Sequence, residues 1–514
     1  MWGDWKERTW SWGLLAVLLA AGGCGGDDGG GGGGTGDGGS DAMADSGADG
    51  ALPDAGADGA SLDGGATDGS TGMLPGCMAP EHLWELVLSV GSGDAMDAQI
   101  QVTASAALPG GAFALGGHTV RGTVDLGDGS GVTGDPPTGF VAVYEADGSL
   151  RWKKIGGLSY PVVALATNAD GSTIAALQGS EVRFYAASDG SDQGSWAPTA
   201  ADASSYAYVR ALAPASGGWL IGGSFAGTVD FGGGDRSTPS GGEPLAPFVV
   251  KLSGTGHAWD WFQAGAGEID KAEVTSVVER ADGTVMAFGN TVGGAMPSFD
   301  LGSAGSFGQG AFRVVLSPTG MPTRAENAFG QASVWGAAML SDTQYVVALS
   351  SYQDVPLDDS TTVSIDGMEV GVVAAFDGSH DVLWYRALIP AANNVFLRSL
   401  SVGNSLVIAG GTLEEDVTVD GVTLSADGGR RDAFVLGLVV TDGTAQWGRT
   451  FSGAGDEAVL TAVVLSDGDI LAGGQFGSES TGGTSGPVDF GDGPRNPNGS
   501  AGFAVRYGCP GSGM

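Results

Sequence analysis

Apolar runs of strand length alternate with small and polar residues along the chain from residue 77 onward. Most runs end at Gly, Asp or Ser, and a second apolar run then follows. Beyond the first 24 residues, no window of about 12 residues combines a 3.6-residue apolar period with capping residues. This pattern predicts an all-β protein that is built from hairpins.

One hairpin pattern recurs seven times, which indicates a repeat protein. Asp-Gly and Gly-Gly between apolar runs are strong hairpin signals because glycine adopts positive φ at little cost. The seven copies begin at Leu108, Thr167, Leu212, Glu279, Leu340, Leu400 and Leu465. A second hairpin follows each of the first six copies, and these second hairpins begin at Phe140, Val182, Phe248, Phe312, Val372 and Phe434.

The seventh unit lacks a fourth strand in sequence, since Phe503 opens its third strand and the chain then ends. The segment from Trp84 resembles the fourth-strand segments at Trp152 and Trp447. We therefore predict a seven-bladed β-propeller that is closed by the N-terminal strand, which leaves no exposed sheet edge between the first and last blades. An array of β-sandwiches is the structural alternative, and it would not need a strand from the opposite terminus.

The sixth and seventh units resemble a known repeat. AFVLGLVVTDGTAQWGRTFSGAGDEA (433–458) and VVLSDGDILAGGQF (463–476) are similar to the β-propeller repeat of exported bacterial proteins. The resemblance spans residues 77–514 and implies a propeller fold. Because this repeat family has no common activity, the resemblance implies no specific function.

The first 24 residues are typical of an export signal. Lys6 and Arg8 precede an apolar run that is too short for a comfortable membrane span. The ending Ala21-Gly22-Gly23-Cys24 resembles the lipobox of bacterial lipoproteins, which implies that Cys24 carries the lipid, including palmitate. Because Gly25 rather than aspartate follows Cys24, we expect an outer-membrane location.

Residues 25–76 hold 20 glycines and 10 aspartates, with no Lys, Arg, Glu or aromatic residue. Such a segment has little to bury and repels itself, so we expect a disordered linker. The predicted domains are therefore a signal peptide (1–24), a linker (25–76) and a β-propeller (77–514).

Composition and charge narrow the functional classes. The chain has 514 residues, 96 of them glycine, and a formal net charge of −38. Such a charge repels phosphate backbones, which argues against a nucleic-acid partner. The glycines do not follow the three-residue period of collagen.

Two cysteines flank the predicted closing strands. Cys77 precedes the N-terminal strand and Cys509 follows the final strand. Antiparallel pairing of those strands would bring both cysteines to the same end of the shared blade, within disulfide distance. An exported protein enters an oxidising compartment, in which such a disulfide persists. We predict a Cys77–Cys509 disulfide, and two free thiols are the alternative.

Candidate catalytic residues are scarce. The four histidines, His82, His118, His257 and His380, have no metal-binding spacing, and no serine lies in a nucleophile elbow. No cofactor motif is present, so no catalytic residue, cofactor or metal site is predicted.

A short Val-Asp-Phe/Leu-Gly-like motif recurs in four units. Its carboxylates could form an acidic ring that binds cations or sugar hydroxyls, or each could accept backbone N–H bonds within its own turn. We favour the turn. The four carboxylates belong to Asp125, Asp230, Asp300 and Asp489.

Tryptophans occupy one position per repeat in the fourth strands, where packing between blades is favoured over carbohydrate stacking. They are Trp84, Trp152, Trp259, Trp384 and Trp447.

These features favour a monomeric, non-enzymatic binding or scaffold protein that is lipid-anchored in the bacterial cell envelope. Envelope proteins or glycans are the expected partners. The alternative is an envelope enzyme on a propeller, either a polysaccharide lyase or a quinoprotein-like dehydrogenase. The dehydrogenase is suggested by ADGSLRW (146–152), which is similar to pyrroloquinoline-quinone propeller repeats.

Overall fold

A computed structural model describes most of the chain from Pro80 to Gly508. Within these residues, no helix has the length and apolar character needed to cross a membrane. The helices in this part are two short 3₁₀ turns, Pro109–Gly111 and Gly302–Ala304. The described ranges are 80–88, 100–119, 123–133, 138–155, 160–238, 245–254, 257–267, 271–292, 299–403, 405–427, 431–478, 487–496 and 501–508.

Seven four-stranded antiparallel sheets contain most of these residues. We number the sheets in chain order and letter their strands A to D in the order of their hydrogen bonding. Sheet 1 has Ile100–Ala107, Phe113–Thr119, Thr138–Tyr144 and Leu150–Ile155; sheet 2 has Val162–Thr167, Thr173–Gln178, Glu181–Ala186 and Asp192–Trp196. Sheet 3 has Tyr206–Ala215, Gly218–Ala226, Ala246–Ser253 and Ala258–Ala264; sheet 4 has Lys271–Glu279, Val285–Val292, Gly310–Leu316 and Pro322–Asn327. Sheet 5 has Ser333–Met339, Tyr345–Ser351, Val370–Phe376 and Val382–Leu388; sheet 6 has Val395–Gly403, Leu406–Leu413, Asp432–Val439 and Ala445–Phe451.

Sheet 7 combines both ends of the described chain. Its strands A to C are Asp456–Val464, Ile470–Ser478 and Ala501–Gly508, and its strand D is Glu81–Leu88. Glu81 pairs with Gly508 and Leu88 with Gly502, so the two terminal strands run antiparallel. The predicted pairing of the N-terminal strand with the last strand is therefore present.

The A strands contact one another around a common axis. Each A strand touches the A strands of the preceding and following sheets, and strand 7A touches strand 1A. Most residues of the B and C strands are buried, as in strand 6B, where every residue is buried, although strand 2C is only half buried. Four-stranded sheets with their A strands around a channel have the architecture of a β-propeller.

Every A strand contains a β-bulge at the same position. In strand 6A the bulge falls between Leu397 and Ser399, which pair with Gly411 and Gly410 of strand 6B. A Cβ atom on Gly411 would lie 1.9 Å from the Phe396 carbonyl oxygen, and one on Gly410 would lie 2.6 Å from a methyl of the next sheet. The recurring Gly-Gly pairs of the second strands thus lie inside the B strands opposite the bulges.

Short hairpins inserted between strands B and C pack at the outer strands. The hairpin Val417–Val419/Val422–Leu424 of sheet 6 lies over strand 6D, where a Cβ on Gly448 would come within 2.5 Å of the Leu424 side chain. It also reaches strand 5D, since Arg386 donates to Asp420 at 2.5 Å. The hairpin fills the space that opens between neighbouring sheets as they diverge from the channel. The remaining short strands are Thr123–Asp125, Gly131–Thr133, Thr199–Ala200, Thr228–Asp230, Asp235–Ser237, Ala266–Gly267, Phe299–Asp300, Ser306–Phe307, Val355–Pro356, Thr362–Val363, Val488–Asp489 and Pro494–Arg495.

Tryptophans in the D strands connect adjacent sheets. Trp152 and Trp384 each donate their indole N–H at 2.9 Å to a carbonyl oxygen in the C–D turn of the following sheet, that of Ala187 and Val440 respectively. Trp84 makes the same type of bond at 3.3 Å. These bonds agree with the predicted packing role between blades.

Our assignment of Trp259 to this position was wrong. Trp261, rather than Trp259, donates its indole N–H to Pro318 of the following sheet, at 3.2 Å. The reason is the register of strand 3D: a bulge places Trp261 opposite Lys251, the position that its counterparts occupy in other sheets. Trp259 instead packs against Gly233 in the inserted hairpin.

Candidate functional site

A cavity of about 660 Å³ runs along the axis around which the A strands meet. All seven A strands contribute to its wall, so the cavity is the central channel of the described domain. Its volume falls in the range of small-molecule sites, about 300–1,000 Å³. The channel is therefore the candidate functional site.

The seven bulged residues all line this channel. A bulge leaves one residue unpaired and redirects its side chain, and bulges are over-represented beside active and binding sites. We call these residues the channel ring. Its members are Thr103, Val163, Arg210, Thr275, Trp335, Arg398 and Leu460.

The charge of the channel ring is opposite to that of the protein around it. Residues 77–514 contain 47 acidic and 19 basic side chains. The ring contains Arg210 and Arg398 and no acidic residue, which gives it a formal charge of +2. A basic ring in a strongly acidic domain favours a role in binding a negatively charged group.

Arg398 and Trp335 are held together in the ring. The guanidinium carbon of Arg398 lies 4.3 Å from the centroid of the Trp335 ring and 5.4 Å from that of Phe396. Trp335 remains 36% exposed. Among the described residues, no hydrogen bond or ion pair to the Arg398 guanidinium is found. The stacking thus orients the cation while its N–H groups stay available.

Arg210 differs from Arg398 because it has a carboxylate partner. Its Nε lies 3.4 Å from a carboxylate oxygen of Glu273, and its guanidinium carbon lies 5.8 Å from the Tyr208 ring centroid. The ion pair is partly exposed and contributes little to stability. It nevertheless offsets the positive charge on this side of the ring.

Acidic and phenolic groups lie near Arg398. Burial raises the pKa of Glu369, which the neighbouring Tyr352 hydroxyl and the charge of Arg398 oppose. Burial also raises the pKa of Tyr352, which keeps its hydroxyl protonated. Arg431 pairs with Glu414 at 3.0 Å. Glu369 exerts an attractive charge on Arg398 without a direct bond.

Hydroxyl groups join neighbouring A strands around the channel. Thr275, a ring residue, donates to the Val334 carbonyl oxygen at 3.0 Å, and the hydroxyls of Ser105 and Thr461 lie 2.7 Å apart. The Ser399 hydroxyl accepts a bond from the Ala462 backbone N–H at 2.7 Å. These contacts fix the relative positions of strands that share no backbone ladder.

The carboxylates of the predicted acidic ring are bonded within their own turns. Asp125 accepts backbone N–H bonds from Gly127 at 2.8 Å and Gly129 at 3.0 Å. Asp230 and Asp489 accept bonds from glycines at the same two offsets. These bonds favour the turn interpretation. For Asp300, whose backbone lies in a short strand, the side chain is outside the described residues.

Acidic residues are sparse on the channel wall. Glu279 is the one carboxylate among the described lining residues, and its partner is Lys251 at 2.6 Å rather than a second acid. Across the described part of the chain, no three His, Cys, Asp or Glu side chains are grouped so as to hold a metal ion. Of the histidines, His118 and His380 have pKa values lowered by burial, to about 4 and about 3.

The predicted lipidation and disulfide sites cannot be placed. Cys24, Cys77 and Cys509 all lie outside the described residues. The pairing of Glu81 with Gly508 supplies the antiparallel strands that the Cys77–Cys509 bridge requires. The bridge itself stays a prediction.

The sequence contains a signal for the channel ring that the hairpin and aspartate patterns do not capture. Each ring residue stands between a Val or Leu and a residue with a small side chain, as in Val209-Arg210-Ala211. The apolar residue packs against the preceding sheet: Val274 would contact a Cβ on Gly222 at 2.6 Å. The small residue pairs opposite the bulge. Seven copies of this tripeptide at repeat spacing are therefore a sequence signal for the ring.

The chain was also compared with known proteins. No protein family profile matches it, and no curated protein matches it. Among solved structures, it is similar to BamB from Moraxella catarrhalis, with 12% identity, a TM-score of 0.35, and coverage of 84% of this chain and 100% of that one. It is also similar to the quinohemoprotein alcohol dehydrogenase ADHIIG from Pseudomonas putida HK5, with 10% identity, a TM-score of 0.35, and coverage of 83% and 78%. At these TM-scores the likenesses carry no argument about function.

Proposed function

We propose that this chain is a non-enzymatic binding protein of the bacterial cell envelope, anchored in the outer membrane by a lipid on Cys24. A disordered linker over residues 25–76 separates the anchor from a monomeric β-propeller. The signal-like segment and the Gly/Asp-rich composition of the linker support this arrangement.

The propeller has seven blades and is closed by the N-terminal strand. The antiparallel pairing of Glu81–Leu88 with Ala501–Gly508 and the contact of strand 7A with strand 1A support closure. Arg506 of strand 7C adds two bonds across the same junction, to the carbonyl oxygens of Gly111 at 2.9 Å and Ala146 at 2.6 Å.

The proposal of a binding function rests on the channel ring. Its side chains come from the same position of seven strands, and it combines two arginines with an exposed tryptophan in an acidic domain. Binding sites place a few convergent polar groups in a pre-formed concave wall, as here. A glycan or an envelope protein that presents a negatively charged group to this ring is the expected partner.

A binding screen tests the proposed function. The exported full-length protein, purified in detergent, is applied to arrays of envelope glycans and envelope proteins, and the same preparation is assayed with pyrroloquinoline quinone and alcohols and with acidic polysaccharides. We expect at least one saturable ligand and no turnover. Dehydrogenase activity, or release of unsaturated sugars, would establish the enzyme alternative instead.

A further inference from the structure

The channel ring contains one cation that is positioned but not neutralised by a direct bond. Arg398 lies 4.3 Å from the Trp335 ring centroid and 5.4 Å from that of Phe396, so two aromatic rings flank its guanidinium group. Stacking engages the faces of a guanidinium group and leaves the N–H donors in its plane. No described residue accepts a hydrogen bond from those donors.

Neighbouring charges do not take up these donors. Glu369 attracts Arg398 electrostatically without a direct bond to it, while Arg431 is paired with Glu414 at 3.0 Å. The Arg398 guanidinium is therefore a pre-organised receptor for an oxyanion, because a fork of N–H groups matches a carboxylate in a bidentate arrangement.

The charge of the domain limits the ligand to few negative charges. With 47 acidic and 19 basic side chains in residues 77–514, a polyanion is repelled before it reaches the ring. A single carboxylate gains the contact with Arg398 at a smaller repulsive cost than a doubly charged phosphate does. The charged group of the ligand is thus singly charged, as a carboxylate is.

The channel wall fits a sugar better than an apolar acid. Each A strand is the innermost of its sheet, so its inner edge has no partner strand, and hydroxyls of neighbouring A strands, such as those of Thr275 and Ser399, bond to some of its backbone groups. Sugar hydroxyls both donate and accept, which suits this lining. Trp335, which is 36% exposed on the channel wall, offers an aromatic face for the C–H face of a pyranose ring.

We infer that Trp335 and Arg398 form a subsite for the uronic acid residue of a short, otherwise neutral oligosaccharide, in which Arg398 binds the carboxylate. This inference rests on the proposed binding function and specifies its ligand class. The 660 Å³ channel accommodates a ligand of a few sugar residues.

Calorimetry on the exported full-length protein tests the subsite with two matched probes. One is a trisaccharide with a single glucuronic acid, and the other has glucose in its place. We expect the acidic probe to bind about tenfold more tightly or better, as a charge-assisted hydrogen-bond pair provides. Arg398→Met abolishes this preference and Arg398→Lys, which keeps the charge, retains part of it. Arg324→Met, which removes an arginine outside the channel wall, is the control and preserves it.

Each outcome separates the subsite from the broader proposal. Equal binding of the two trisaccharides, or an acid preference that survives Arg398→Met, overturns the uronate subsite while the binding function stands. Preferential binding of a tripeptide with a free C-terminal carboxylate, included as a third probe, overturns the sugar assignment as well. If neither these probes nor any array ligand binds, both proposals fail. Thermal unfolding of each variant verifies that it is folded.

Discussion

The α-carbon of Gly411 faces the carbonyl oxygen of Phe396 so closely that an added Cβ would lie only 1.9 Å from it. The carbonyl oxygen belongs to the residue two positions before Arg398, the bulged residue of the same strand. Gly117, Gly223 and Gly474 stand in the same relation to their own A strands. In these sheets the close approach of the A strand therefore requires a glycine on the adjacent strand, whereas Gln178 and Leu349 occupy this position beside the bulges of strands 2A and 5A.

Substitution of Gly411 by alanine should destabilise the protein strongly. The methyl group can be accommodated only if strand 6A moves, and overpacking of this kind costs about 1–3 kcal/mol or more. Gly378→Ala is the control, because its Cβ would meet its nearest neighbour at 3.6 Å, an ordinary contact. Denaturant unfolding measures both. Equal stabilities of the two variants would contradict the role assigned to the glycine.

The indole N–H of Trp384 should contribute measurably to the contact between sheets 5 and 6. Trp384→Phe removes the bond to the partly buried Val440 carbonyl oxygen, which we expect to cost about 0.5–1.5 kcal/mol. Trp447 is similarly buried, but its indole N–H has no partner within the described residues. Trp447→Phe is therefore the matched control and should cost less in chemical denaturation. The reverse order would show that packing, rather than the hydrogen bond, dominates.

The junction between sheets 7 and 1 should depend on Arg506. This side chain is 3% exposed and donates to Asp469 at 2.8 Å as well as to two carbonyl oxygens of sheet 1. Arg506→Met removes the donor of two carbonyl oxygens and the guanidinium group that pairs with the Asp469 carboxylate, which costs about 3–5 kcal/mol. Arg324 forms an exposed ion pair with Glu326, so Arg324→Met should lower the free energy of unfolding by less than about 1 kcal/mol. Comparable unfolding midpoints for these two variants would argue against a closing role.

Glu457 should make the protein less stable as the pH rises. Burial, with the nearby charge of Asp432, raises the pKa of Glu457 from an ordinary 4.5 to about 7. The folded state therefore binds this proton more tightly than the unfolded state. The stabilisation is complete below about pH 4.5 and is lost as the pH rises through about 7. Thermal unfolding at pH 5 and pH 8 should show a smaller difference in Glu457→Gln than in the wild type.

Glu326 provides the control for this pH dependence. The charges of Arg313 and Arg324 lower its pKa against the opposing effect of burial. Its contribution is thus present above pH 4.5 and is lost only in acid. Glu326→Gln should lower stability at pH 5 and pH 8 alike, without changing the difference between them. If Glu457→Gln behaves in the same way, the assignment of the titration to Glu457 is wrong.

Local sequence signals were sufficient to predict the hairpins that form the sheets. Asp-Gly turns and alternating apolar runs located the hairpins, and the similarity of the Trp84 segment to other fourth strands predicted its pairing with the last strand, as observed. The sequence did not show which tryptophan of a D strand contacts the following sheet. Trp259 and Trp261 both fit the pattern, and only the bulge in the pairing with strand 3C decides between them.

The candidate site was harder to predict because its residues share a position rather than a chemistry. Thr103, Trp335 and Arg398 have no common side-chain type, and they meet only when seven strands surround one axis. The aspartates stood out instead because their motif repeats. Their repetition reflects a turn, in which Asp125 accepts the backbone N–H groups of its own hairpin.

The location of the binding surface tests the proposed binding function most directly. The full-length exported protein is compared with two triple variants in binding to the ligands found on the arrays. One carries Arg210→Ser, Trp335→Ala and Arg398→Ser in the channel ring, and the other carries asparagine in place of the three described hairpin aspartates, Asp125, Asp230 and Asp489. We expect the ring variant to lose binding while the hairpin variant keeps it. Retained binding by a folded ring variant, with loss in the hairpin variant, would show that the channel is not the binding site.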